Sequence, residues 1–144
     1  MSSGSPFEAS VGFSRGIRVG RHVAIAGTAP IWPDGGVDRD PLTQARRCWE
    51  IALQALGDLG GTSADVVRTR TYLTRREDEA PASQAHGEIF GSVRPVSTMI
   101  VVARLLDPRW LVEVELDAIL DPASPDPSAP LDPSATAARV EEPL

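Results

Sequence analysis

The stretch "LVEVELDAIL", Leu111 to Leu120, decides the fold class. Its alternation is strict: Val112, Val114, Leu116 and Ala118 fall on one side, Glu113, Glu115 and Asp117 on the other. A period of two marks a strand with one face in a core and the other turned away from it. Upstream, "DPRW" turns the chain. Before that turn lies "VRPVSTMIVVARL", Val93 to Leu105, too β-branched for a helix and entered through a proline.

Further toward the N-terminus, "EDEAPASQAHGEIFG" reads as a weak helix with Pro81 in or just before its first turn. "ADVVRTRTYLTR" reads as a strand, with Val67, Thr69, Thr71 and Leu73 on one face and Arg68, Arg70 and Tyr72 on the other. A stronger helix opens at Asp40-Pro41, Asp as N-cap and Pro in the first helical position. Leu42, Ala45, Trp49, Ala52, Leu53 and Leu56 give it one apolar face, and Gly60-Gly61 ends it. "WPDGG" is turn chemistry. "GFSRGIRVG" and "RHVAIAGTAP" read as two strands joined by a tight turn at Val19-Gly20-Arg21.

The order is therefore β-β-α-β-α-β-β. Two amphipathic helices cover one face of such a sheet, which predicts a two-layer α+β sandwich. The other face mixes polar and apolar residues and is a candidate oligomer interface.

The 144 residues suit one domain with a real core. Composition changes after Leu120, where "DPASPDPSAPLDPSATAARVEEPL" has almost no large apolar residues. The expectation is a folded domain over 1–120, short flexible N-terminus included, and a disordered tail over 121–144. Net charge is -6 and the pI is about 4.8. That balance argues against a nucleic-acid partner, which calls for a basic footprint. "MSSGSPFEAS" lacks the pattern of a signal peptide, and no apolar run approaches the ~20 residues of a membrane span. The expectation is a cytoplasmic protein without a membrane partner.

His22 and His86 are not spaced as ligands on one helix, and Cys48 is the lone cysteine, so no metal site and no disulfide are expected. No G-x-S-x-G or phosphate-cradling loop is present. The three acids of "VEVELDA" are either a solvated face or hold a general acid/base, since like charges two residues apart raise a carboxyl pKa in a confined site.

"VGRHVAIAGTAP", "QARRCWEIALQALGDLGGTSADVVRTRTYL", "IFGSVRPVSTMIVVARL" and "LVEVELDAIL", in this order, span nearly all of Val11 to Leu120. Their succession resembles the Rid family, YjgF-type reactive-intermediate deaminases also known as L-PSP endoribonucleases. The resemblance implies a chorismate-mutase-like fold and a homotrimer whose sheets line a barrel, with small-molecule clefts between subunits. It implies hydrolysis of 2-imino acids to 2-keto acids and ammonia, with no cofactor. Glu113 matches the glutamate that positions or activates water. Gly27 matches the glycine whose backbone approaches the ligand. Phe13 stands where a Tyr is usual and Ala26 where a Ser is common. Ser83 and His86 fall near family Asn and Tyr positions. Ser97 stands where active members carry the arginine that holds the substrate carboxylate, and a serine cannot replace that salt link. The first reading is a subgroup lacking this arginine, acting on or binding another small metabolite. One alternative is a 2-iminobutanoate/2-iminopropanoate deaminase in which Arg94 or another cation substitutes. Another is a non-enzymatic protein that binds a small molecule or a partner.

Overall fold

The computed structural model describes residues 1–2, 6–123 and 127. In chain order the elements are α1 (Pro6–Val11), β1 (Gly16–Val19), β2 (His22–Thr28), α2 (Pro41–Asp58), β3 (Val66–Leu73), α3 (Glu79–Phe90), β4 (Val96–Val101) and β5 (Val112–Ile119). Single 3₁₀ turns lie at Ser63–Asp65 and Arg76–Asp78. The last strand takes the middle of the sheet, whose order is β1-β2-β5-β3-β4. Only β3 and β4 run parallel, because α3 carries the chain back between them; the other pairs are antiparallel.

The alternation of β5 holds. Val112, Val114, Leu116 and Ala118 are buried, and the three acids between them are not. Above the buried row lie Ala45, Cys48, Trp49, Ala52, Ala55 and Leu56 of α2, with Ala82, Ala85 and Phe90 of α3. The result is the expected α+β arrangement, two main helices on one face of a mixed sheet. Asp40 caps α2 by accepting from the Thr43 N–H at 2.8 Å, with Pro41 next. Gln44 is fully buried, and its amide donates to the Asp38 and Arg109 carbonyls at 2.6 and 2.9 Å. Its oxygen accepts from Leu111 N–H at 2.8 Å, so one side chain ties two loops to α2. Losing such a buried partner costs about 1–3 kcal/mol per group left unpaired.

Two expectations need correction. The first strand does not begin at Gly12. Pro6–Val11 form a short helix that Gly12 closes at φ 82°, with Gly12 and Phe13 N–H both donating to the Glu8 carbonyl. Met1 instead lies against the start of β1, its amine donating to the Gly16 carbonyl and its carbonyl accepting from Arg15 N–H. The second correction concerns Val67, which is 40% exposed and does not share the face of Thr69 and Thr71. The β3–β5 register steps from Val66↔Ala118 to Arg68↔Asp117, so Val67 is the extra residue of a bulge and Val66 takes the core position.

None of the helices among the described residues is long and apolar enough to cross a membrane. The expected tail falls outside the described residues, apart from 121–123 and 127.

Candidate active site

The face of the sheet away from the helices carries the charged residues of β3 and β5. Register sets Asp117 beside Arg68, Glu115 beside Arg70 and Glu113 beside Tyr72. Arg70 Nη1 contacts Glu115 at 2.7 Å and Asp117 at 3.5 Å, Arg68 Nε lies 3.7 Å from Asp117, and the Tyr72 hydroxyl donates to Glu115 at 3.1 Å. Two of the three acids are thus held in a ladder of partly exposed ion pairs. A cleft of about 430 Å³ opens beside it, with Phe13, Ile17, Ala24 and Ala26 on its apolar side and Arg70 and Glu115 on its polar side.

Glu113 differs from the other two. Its carboxylate makes no ion pair and accepts no hydrogen bond among the described residues. Burial pushes its pKa above the ordinary carboxylate value, the Arg15 charge opposes that rise, and repulsion from Glu115 adds a lesser push. The raised value therefore comes chiefly from desolvation rather than from the like charges on the strand. The position is prepared by a bulge in β2. Pairing with β5 steps from Ile25↔Leu116 to Thr28↔Val114, which leaves one residue too many at Ala26–Gly27. A Cβ at Gly27 would collide with Glu113 Oε1, so only glycine lets the backbone come this near the acid.

Arg15 completes the group. Its Nη2 donates to the carbonyls of Ala26 at 3.0 Å and Gly27 at 2.5 Å, spanning the bulge. Its Nε is buried with no hydrogen-bond partner among the described residues. Burial lowers its pKa, while the charges of Glu8 and Glu113 raise it. A half-buried acid, a nearby cation and a close-approach glycine suit proton transfer to and from a small bound molecule.

A profile of the family described as endoribonuclease L-PSP matches residues 4–120. The chain belongs to this family, which includes the YjgF and RutC proteins. An uncharacterized protein of Streptomyces coelicolor is 39% identical over 119 residues, covering 82% of this chain and 89% of that protein. A RutC family protein of Pyrococcus abyssi is 32% identical over 109 residues, covering 74% of this chain and 84% of the relative. Among solved structures, Rv2704 of Mycobacterium tuberculosis, a YjgF/YER057c/UK114 member, superposes with a TM-score of 0.76 at 42% identity, over 83% of this chain and 97% of its own. Escherichia coli TdcF, solved with bound serine, shares the fold with a TM-score of 0.71 at 23% identity, over 76% and 88% of the two chains.

In this L-PSP family member, four of the residues singled out from sequence come together on one face. Phe13 and Ala26 line the cleft, and Gly27 and Glu113 stand beside it. Ser97 and Arg94 do not join them. Ser97 is exposed on β4, in register with Thr69 and hence on the helix-facing side. The β4 edge lies four strand spacings from β1, roughly 19 Å at ~4.8 Å each. Arg94 is exposed and left-handed at φ 58°, where its N–H and that of Val93 donate to the Phe90 carbonyl and close α3. His86 packs between Trp49 and Phe90 and shares a 2.9 Å hydrogen bond with Thr69 Oγ1, while Ser83 is exposed. Burial pushes the Cys48 thiol far above its ordinary pKa, which removes it as a nucleophile. Arg15 was missed from sequence. Its signal is a charge one step of two before Ile17, on a face that is otherwise apolar.

Proposed function

We propose that this L-PSP family protein is a Rid-type hydrolase of a small metabolite, assembled as a homotrimer, with Glu113 orienting or activating the attacking water. The observation that carries this reading is the Glu113 carboxylate itself, half-buried, without an ion pair among the described residues and standing over Gly27. Such a carboxylate takes a proton from water as the oxygen adds to an electrophilic carbon, then returns it to the departing nitrogen. A pKa raised by burial above the ordinary carboxylate value suits both directions. Ser97 supplies a hydroxyl in place of a charge, which moves preference away from ligands anchored by an arginine at that position.

Trimer formation is supported by the uncovered face. Ile17, Val19, Val67 and Ile119 are exposed together on it, around a second depression of about 410 Å³. Val96, Ile100 and Val101 are exposed on the edge strand β4, whose unpaired side invites another chain. In this reading the β4 edge of one copy, with Ser97 and Arg94, meets the Glu113 half-site of its neighbour.

The test is hydrolysis by wild type and Glu113→Gln of 2-imino acids released by an amino-acid oxidase, and of neutral imines and amides. Turnover of at least one class by wild type is expected, falling about 10²-fold or more in Glu113→Gln with the sedimenting species unchanged. Equal turnover in the two proteins, or a monomer at micromolar concentration, overturns the proposal.

A further inference from the structure

Three hydrogen bonds tie Arg15 to the bulge of β2. Its own carbonyl accepts from the Ala26 N–H at 3.0 Å, and its Nη2 donates to the carbonyls of Ala26 at 3.0 Å and Gly27 at 2.5 Å. The Thr28 hydroxyl donates to the Ala26 carbonyl as well, at 2.9 Å. Ala26 and Gly27 have no register partner on β5, where pairing passes from Ile25↔Leu116 to Thr28↔Val114. The strand ladder therefore does not fix their conformation, and their carbonyls need donors from elsewhere. One guanidinium nitrogen serves both. Arg68 and Arg70, by contrast, are engaged by the acids Glu115 and Asp117.

The place of Gly27 bears directly on Glu113. A Cβ at Gly27 would overlap Glu113 Oε1, so the glycine backbone and the carboxylate are packed against each other. A shift of the bulge moves the surface on which that carboxylate rests. Glu113 has no ion pair and accepts no hydrogen bond among the described residues that would hold it otherwise. We propose that Arg15 is a positioning residue: by clamping the Ala26 and Gly27 carbonyls it sets the bulge against Glu113 and so fixes where that carboxylate stands. Its Nη2 donor is committed to the backbone rather than to a bound molecule. The Arg15 charge, which opposes the rise of the Glu113 pKa, is a second and separate effect. A lysine keeps part of both effects, and a methionine keeps neither.

The inference rests on Glu113 serving the reaction proposed above, and hydrogen exchange tests it apart from turnover. In full-length protein the amides of Gly27 and Thr28 are expected to exchange about tenfold faster or more in Arg15→Met than in wild type, with those of β3 unchanged. Arg15→Lys, which reaches nearly as far and keeps a donor, should restore most of the protection. Turnover is compared on the imine or amide that wild type hydrolyses, well above the acid limb, where Glu113 is ionised in every variant and the charge effect drops out. There Arg15→Met should lower kcat about tenfold or more with KM within about twofold, because a displaced group loses the transition state rather than ground-state binding. Arg15→Lys should regain part of kcat. Gly27→Ala displaces the same carboxylate from the other side, so the double variant should lose about as much as the worse single one. Arg15→Gln is too short to span the carbonyls; it should behave as Arg15→Met does, and it covers the case in which the methionine variant does not fold. Full kcat in folded Arg15→Met or Arg15→Gln, a rise in KM at unchanged kcat, or losses that multiply in the double variant overturn the inference. So does unchanged exchange at Gly27 and Thr28, or an equal rise across β3, which marks a weaker fold rather than a freed bulge. Undiminished turnover in Glu113→Gln sinks the hydrolase reading alone, and the exchange comparison then still decides whether Arg15 holds the bulge.

Discussion

The two halves of the open sheet face use the same residue types for opposite ends. In one half, Arg68 and Arg70 of β3 stand directly across from Asp117 and Glu115 of β5, and the charges cancel by contact. In the other, Arg15 and Glu113 share Gly27 but do not touch. Glu113 and Glu115 are two residues apart on one strand, on one face. What separates them is the neighbour: a regular strand opposite Glu115 delivers an arginine, while opposite Glu113 it delivers Tyr72 on one side and the bulged Ala26–Gly27 on the other. A satisfied ion pair holds its charges in place, whereas an acid without a partner can exchange a proton.

The largest effect that would sharpen this contrast comes from Glu113→Gln set against Glu115→Gln. The first is expected to lower kcat about 10²- to 10⁴-fold, the range of a positioned acid or base. A larger loss in Glu115→Gln than in Glu113→Gln would reverse the assignment. Next comes Gly27→Ala. Its Cβ meets the end of a flexible side chain, so the Glu113 carboxylate swings aside at little cost to the fold. The melting temperature should barely move while kcat falls on the order of 10²-fold, as for other small misplacements of a reacting group. Full activity in Gly27→Ala would show that the carboxylate is not held in place there.

Titration gives a smaller but cleaner signature. Glu113 has a folded pKa above its unfolded value, so the folded protein binds the extra proton in the window between the two. Stability is lost as pH rises through that window, upward from about 4.3. Glu113→Gln lacks this loss, and denaturant melts should show it gaining on wild type above the window, with the difference closing at lower pH. For turnover by an ionised Glu113, the acid limb should lie above the usual carboxylate range. It should move to still higher pH in Arg15→Gln, because the opposing cation is gone. An acid limb at the same pH in both would uncouple the pair. The smallest effect is expected from Arg70→Met. Its ion pairs are partly open to solvent and screened, so the change in melting temperature should be slight and should shrink as salt is added.

The sequence by itself determined the layers. The period of two in 112–119, the three-and-four spacing of Ala45, Trp49, Ala52 and Leu56, and the Asp40-Pro41 cap are local patterns that burial and backbone chemistry enforce wherever the segment sits. They were enough for the order of the five strands and the two main helices, for the fold class and for the side of β5 that holds the acids, but not for the short helix over Pro6–Val11. Registers between distant strands lay beyond their reach. The bulge that turns Val67 outward depends on β5, some 50 residues later, and the one that brings Gly27 under Glu113 depends on the same strand 86 positions away. Arg15 read as one more strand residue until the folded sheet set it across that bulge. Pairing across a sheet is decided by which partner's hydrogen bonds and side chains fit, a long-range property. Only the tertiary structure could therefore separate the acids that are neutralised from the acid left without an ion pair among the described residues.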